Sequence, residues 1–248
     1  MKRFLPILSF LLLTCVASGA RKVPSNALGT VSYEVRYRLG AMNAKVATAT
    51  ISLDPATREG QATFHSHALI RTSSIFRLFI SSDYVVDTWL TQADLQPIYF
   101  INPFRKGGKD GKFECTYSRS GIEVVTVMPP KGYESKTLPQ DGRTMDLLTL
   151  LHYVRFLEMP ASGKPLSLQV LMGGAAFPGV LTYEGTDAER FPGQRAERFL
   201  LHLTERGLME NGSGNEIHLW RSAGADRRLL GLEVALSTGS MSVSISGR

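Results

Sequence analysis

Cysteine is nearly absent from this 248-residue chain: there are two, and Cys15 lies in an apolar N-terminal stretch. Without that stretch Cys115 is the only thiol, so no internal disulfide can brace the fold and packing must hold it unaided. Cys115 stands in FECTYS, between Phe113 and Tyr117 in a strand-like run, the setting of a buried structural thiol rather than a nucleophile.

Catalytic signatures are missing as well. There is no G-x-S-x-G elbow, no S-x-x-K pair and no alternation of strands with helices, which argues against serine hydrolase chemistry. GGAAFPG, from Gly173 to Gly179, lacks a phosphate-loop lysine and a following helix, and reads as a strand-connecting turn. No motif calls for a cofactor. Basic residues are scattered, the densest groups being Arg105, Lys106, Lys109 and Lys112, and Arg227-Arg228, with no stripe interleaved with stacking aromatics. Nucleic acid is therefore not expected as a partner.

The first twenty residues, MKRFLPILSFLLLTCVASGA, place Lys2 and Arg3 ahead of an apolar stretch from Phe4 to Leu13 and small residues Ser18 and Ala20 at its end. This is the pattern of a secretory signal peptide cleaved after Ala20. The apolar stretch falls short of the roughly 18 residues a membrane span requires, so the mature chain is expected to carry no transmembrane helix. Lipid anchoring at Cys15 is the alternative, although Thr14 stands where a small Gly or Ala is preferred. The expected organisation is a signal peptide over 1–20 and a single mostly β domain over 21–248, exported to the periplasm. Loss of Lys2 and Arg3 lowers the formal charge from +6 to +4, a mild basic excess.

Two-residue alternation dominates the rest. Val31, Tyr33, Val35, Tyr37 and Leu39 alternate with Thr30, Ser32, Glu34, Arg36 and Arg38, a strand with one wet face. Ala47, Ala49, Ile51 and Leu53 continue the pattern, and Asp54-Pro55 is expected to end it as a turn. Leu230, Leu232, Val234 and Leu236, then Met241, Val243 and Ile245, predict a second hairpin. Nine further strands are expected between them: 62–70, 84–90, 95–100, 112–118, 122–128, 166–172, 179–186, 196–204 and 216–220.

One segment breaks the rhythm. MDLLTLLHYVRFLE, Met145 to Glu158, predicts a helix with Thr144 or Asp141 as N-cap and Pro160 as stop. Its apolar residues surround most of the circumference, so it must be cradled rather than laid on a surface. The expected fold is mainly β: a curved antiparallel sheet or half-barrel wrapping one apolar α-helix.

His65 and His67, in FHSHAL, lie two apart on a strand and so share a face, a geometry open to a metal. No third ligand is marked by spacing, and Phe64, Ala68 and Ile70 take the inner face, which leaves the two histidines as solvated side chains on the outer one. Asp83 and Asp87 are expected on one strand face in structural contacts. Asn211-Gly212-Ser213, in ENGSGNE, reads as hairpin-loop chemistry.

Four stretches in order, VSYEVRYRLG, SSDYVVDTWLTQADLQP, LPQDGRTMDLLTLLHYVR and EIHLWRS with ADRRLLGLEVAL after it, resemble the bacterial domain-of-unknown-function family 3108, exported envelope proteins of Gram-negative bacteria. Asp83, Tyr84, Asp87 and Leu95-Gln96-Pro97 echo a family element, with Ser82 and Val85 flanking where an arginine is usual. The resemblance implies a curved sheet with one helix, similar to the lipoprotein-localisation carriers, and brings no catalytic residues. The expected function is a non-enzymatic periplasmic binder of a lipid, an acyl chain or another apolar small molecule. Tyr33, Val35, Tyr37, Leu148, Leu151 and Phe156 are the candidate lining residues. Two other readings stay open: an interaction or assembly factor with an envelope protein as partner, and a metal-dependent enzyme using His65 and His67.

Overall fold

In a computed structural model of the chain, the described residues are 23–73, 83–106, 108–141, 143–158, 164–205 and 214–246. The expected signal peptide, its cleavage after Ala20, Cys15, Pro160 and the 211–213 tripeptide lie outside them. A short 3-10 turn, Ser25–Ala27, leads into β1 (Gly29–Leu39), β2 (Met42–Arg58), β3 (Gln61–Thr72), β4 (Tyr84–Thr91), β5 (Pro97–Lys106), β6 (Lys109–Ser118), β7 (Gly121–Met128), β8 (Gly132–Leu138) and β9 (Thr144–Asp146). The helix α1 (Leu147–Phe156) follows, and then β10 (Leu166–Met172), β11 (Ala175–Asp187), β12 (Ala196–Leu203), β13 (Glu216–Ser222), β14 (Leu229–Ala235) and β15 (Ser240–Ile245).

The fifteen strands of the described residues form one sheet, in the order β8 to β1, then β15 down to β9. β1 joins the two halves by pairing with β15, Val35 opposite Val243 and Tyr37 opposite Met241. Every pairing is antiparallel except β9 with β10. The chain itself demands curvature. β8 and β9 stand at opposite ends of the order, roughly 67 Å apart were the sheet flat. The five residues 139–143 that connect them reach only about 20 Å. The two ends accordingly meet: Leu171 of β10 packs in one cluster with Cys115, Tyr117, Ile122 and Val124 of β6 and β7. The sheet is open and curved and mainly antiparallel, and the described residues hold one α-helix.

Several boundaries differ from expectation. β2 runs through Asp54-Pro55 to Arg58, because β1 begins opposite Leu53 and beyond that point β2 has a neighbour on one side only, where proline is tolerated. The helix starts at Leu147 rather than Met145, since Thr144–Asp146 is drawn into parallel pairing with Gln169–Leu171. Its N-cap is Asp146, whose Oδ1 accepts the Thr149 N–H at 2.9 Å. Asp141 instead accepts from the Thr144 hydroxyl and the Arg143 N–H. In the 173–179 stretch only Gly173 and Gly174 form the turn, at φ +54° and +80°, and Ala175 already belongs to β11. β8 was not expected: its residues are exposed from Gly132 to Thr137, so no alternation marks them.

The main core gathers Leu148, Leu150, Leu151, Tyr153, Val154 and Leu157 of α1 with inward side chains of β1, β2, β3 and β10–β14, among them Tyr33, Val35, Val170, Phe199, Leu219 and Val234. A second cluster at one end of the helix joins Phe156 to Ala27, Leu53, Phe64, Leu90 and Leu95. Nine of the ten helical residues are buried, Leu147 alone being half-buried. The all-round apolar sequence is satisfied in this way, at roughly 1.5–3 kcal/mol for each large side chain taken out of water.

Candidate functional site

The interior holds a hydrogen-bond relay that strand parity brings together. Ser66 shares the inward face of β3 with Phe64 and Ala68, and is fully buried. Its hydroxyl donates to the Ser52 carbonyl at 2.7 Å and lies 2.7 Å from His152 Nε2 on α1. Arg155, one helical turn on, approaches His152 Nδ1 at 3.2 Å. A guanidinium only donates, so Nδ1 accepts, the ring proton sits on Nε2, and that N–H donates to Ser66. Burial, then the neighbouring Arg155 charge, holds the His152 ring well below the usual imidazole range, so it stays neutral. A protonated Nε2 cannot take the serine proton, which excludes this pair as nucleophile and base.

Charged groups fasten both ends of the helix. Asp146 is fully buried; its Oδ2 accepts from the Thr149 and Thr88 hydroxyls, at 2.5 and 3.2 Å. Burial raises its carboxyl above the ordinary range, and the hydrogen bonds from Thr149 and Thr88 work against that rise. At the other end Arg221 of β13, buried, donates from one nitrogen to the carbonyls of Val154, Arg155 and Leu157 at 2.7, 3.0 and 2.7 Å. Its Nε pairs with Glu197 at 2.6 Å. A cation at the last carbonyls complements the helix dipole and occupies acceptors that the ladder leaves unused. Arg155 reaches on to the Ala27 carbonyl at 2.8 Å, and Tyr33, its phenol pushed up to about 12 chiefly by burial, donates to the Leu229 carbonyl at 3.1 Å.

The six candidate lining residues divide. Tyr33, Val35, Leu148 and Leu151 are buried in the main cluster, and Phe156 belongs to the second. Tyr37 is half-buried near the mouth of the sheet, with its hydroxyl bonded to the Thr238 carbonyl at 2.5 Å. Two surface clefts, of about 420 and 330 Å³, are lined by none of the six.

Apolar side chain does come to the surface at one end of the inner face. Of the four large hydrophobic residues exposed among the described residues, three lie there: Leu39, Met42 and Tyr84, at 47, 45 and 48 %. Leu39 and Met42 face each other across the β1–β2 turn, and Tyr84 pairs with the half-buried Ile70. The polar contacts of α1 with this wing of the sheet are made further down, at Ser66 and Thr88. Half-buried Tyr37, Met241 and Leu236 continue the rim.

On the outer face, His65 and His67 are not simply solvated. His65 Nε2 and His67 Nδ1 both lie 2.8 Å from Asp87 Oδ1, a group the β3–β4 register places opposite His67. His65 stacks on Trp89 with centroids 4.3 Å apart, and Arg58 lies over Tyr99 at 3.6 Å. The carboxylate holds the two ring nitrogens that face it, and no cluster of three or more metal-ligating side chains suited to an ion occurs among the described residues. Asp83 lies just outside β4, four residues before Asp87. Cys115 is buried, its thiol pushed up to about 12 by burial and then the Asp146 and Glu114 charges, which makes it a poor nucleophile.

The sequence model of the family described as "Protein of unknown function (DUF3108)" matches residues 32–244. The chain belongs to this family. The match spans the helix and nearly all of the sheet. No curated protein matches the sequence. Among solved structures, the DUF3108 chain is similar to a beta-barrel-like protein of the domain of unknown function DUF1849 from Brucella abortus. That likeness has a TM-score of 0.55 at 10 % identity, over 92 % of this chain and 98 % of the other. It is one of fold.

Proposed function

We propose that the protein is exported to the periplasm and, in its mature form, binds an apolar ligand, a lipid or acyl chain, without catalysing a reaction on it. In this reading the sheet wraps the helix as a half-barrel, and the ligand enters at the end opposite the Phe156 cluster. The observation that carries it is the rim of exposed Leu39, Met42 and Tyr84 above half-buried Ile70 and Met241. Large apolar side chains exposed toward one end of a concave sheet support a binding or interaction site there. The basic N-terminal residues, short apolar stretch and Ala20 support export.

The test is titration of purified protein with a fluorescent fatty-acid probe, beside L39D and M42D. Both side chains are about half exposed, so the substitutions should leave the fold intact and weaken probe capture by about tenfold. Saturable capture that neither substitution changes would contradict entry at this rim.

A second reading, a protein-interaction or envelope-assembly factor, is favoured by β8, which ends the strand order with Tyr133 68 % exposed. An extended partner segment adds there by backbone pairing. Glu134 and Lys136 on the same strand would set its charge pattern. A photocrosslinker at position 133 that returned only lipid adducts in intact cells would count against this reading.

A further inference from the structure

The larger cleft, about 420 Å³, opens beside Ile245, toward the end of β15 away from Leu39 and Met42. Met241 stands at the rim and Ile245 at the cleft, four residues apart on β15, a separation of about 13 Å. The cleft lies between the loop before β12, which carries Arg195, and the β13–β14 turn, which carries Asp226 and Arg228. Buried Leu230 and half-buried Ile245 supply apolar lining.

The walls are built and cross-braced. The Ala223 N–H donates to the Arg195 carbonyl at 2.9 Å, tying one loop to the other. Both Asp226 oxygens are used, one accepting from Ser222 Oγ at 2.6 Å and the other pairing with Arg228 Nε at 2.7 Å. That contact orients Arg228 and leaves the rest of its fork, on a side chain 52 % exposed, without a partner among the described residues. The Arg195 guanidinium is exposed and has no ion pair or side-chain hydrogen bond among them. Behind the cleft, Arg227 reaches the Leu157 carbonyl at 3.3 Å, and Arg155 and Arg221 are committed to the helix end. Five arginines thus gather at this end, and the carboxylates paired with them are Asp226 and Glu197.

We infer that this cleft is a binding site for a small amphiphilic anion, a phosphate or carboxylate held by Arg195 and Arg228 with its short apolar part against Leu230 and Ile245. The volume falls within the range of small-ligand pockets. Guanidinium forks match tetrahedral and planar oxyanions, and an unpaired fork beside an oriented one is an arrangement an anion completes. The site shares no residue with the apolar rim, so it stands or falls separately from the proposed function.

The test is calorimetric titration of purified protein with n-hexyl phosphate and, in parallel, with inorganic phosphate. The variants are R195Q, A223W to fill the cleft, and R119Q on a distant turn as control. Saturable 1:1 binding of hexyl phosphate is expected, weakened at least fivefold by R195Q, abolished by A223W and changed less than twofold by R119Q. Inorganic phosphate should bind at least tenfold more weakly. Thermal melting checks that each variant folds, and R195Q removes a side chain with no internal partner. Absence of saturable binding, or binding by R195Q and A223W as tight as by the wild type, would overturn the site; equal affinity for inorganic phosphate would overturn its apolar half. Co-sedimentation with phosphatidylglycerol vesicles separates the two sources of such an anion: Arg195-dependent sedimentation assigns a lipid headgroup, and hexyl phosphate binding without sedimentation assigns a free molecule.

Discussion

His152 on the helix donates from Nε2 to the hydroxyl of Ser66 on β3, 86 residues earlier, across 2.7 Å of fully buried interior. The direction of that bond follows from Arg155 on the other ring nitrogen, and it makes the pair a fastening between helix and sheet. Replacing Ser66 with alanine leaves a buried N–H without an acceptor and is expected to cost about 1–3 kcal/mol. A double-mutant cycle with His152→Leu, read by urea unfolding, should give a coupling of the same order. A coupling near zero would mean that the two side chains do not bond.

The same histidine sets a pH dependence. Its folded-state pKa is depressed well below 6.5, so both folded and unfolded chains carry it neutral above about pH 6.5 and it contributes no slope there. As pH falls below 6.5 the unfolded chain takes up a proton that the folded chain refuses. Stability is then lost at about 1.4 kcal/mol per pH unit until the folded pKa is reached. Urea midpoints between pH 7.5 and 5 should fall in the wild type and less steeply in His152→Gln.

At the helix N-terminus the two parts of Asp146 can be separated. Asparagine keeps the cap and removes a buried charge whose pKa burial has raised, so D146N is expected within about 1 kcal/mol of wild type at pH 7. D146A loses the cap and the acceptor of the Thr88 and Thr149 hydroxyls, which keep only each other and the Tyr99 carbonyl, at about 1–3 kcal/mol. Thermal unfolding of both variants checks the order.

Arg221 should be the most costly of these fastenings to remove. R221M leaves three buried carbonyls without their cation, an expected loss of about 3–5 kcal/mol. E197Q, at a carboxylate 24 % exposed, should cost under about 1 kcal/mol. Equal losses would place the stabilisation in the ion pair instead of the helix end.

Much of this architecture is legible in the sequence where one face of a strand is wet. β1 and the β14–β15 hairpin follow from strict alternation, and the helix from a leucine-rich run that alternation cannot explain. β8 stays invisible because both of its faces meet water, and β9 because its three residues are drawn into parallel pairing by a strand some twenty residues later. The outer-face group was half readable: parity places His65 and His67 together, but their carboxylate partner is set by the β3–β4 register. Ser66 is the instructive omission. The alternation that puts Phe64 and Ala68 inside also puts the serine between them inside, and a buried hydroxyl requires a partner. Arg155 and Arg221 carried no such signal, since their acceptors come from backbone that only the folded chain brings near.

The measurement that bears most directly on the central claim is native mass spectrometry of the protein purified from its own host, with lipid extraction of the same sample. A discrete bound lipid or acyl mass, diminished in M42D, is the predicted result. A clean apo mass under gentle conditions, unchanged by M42D, would contradict the apolar-ligand reading and turn the search to a protein partner at β8.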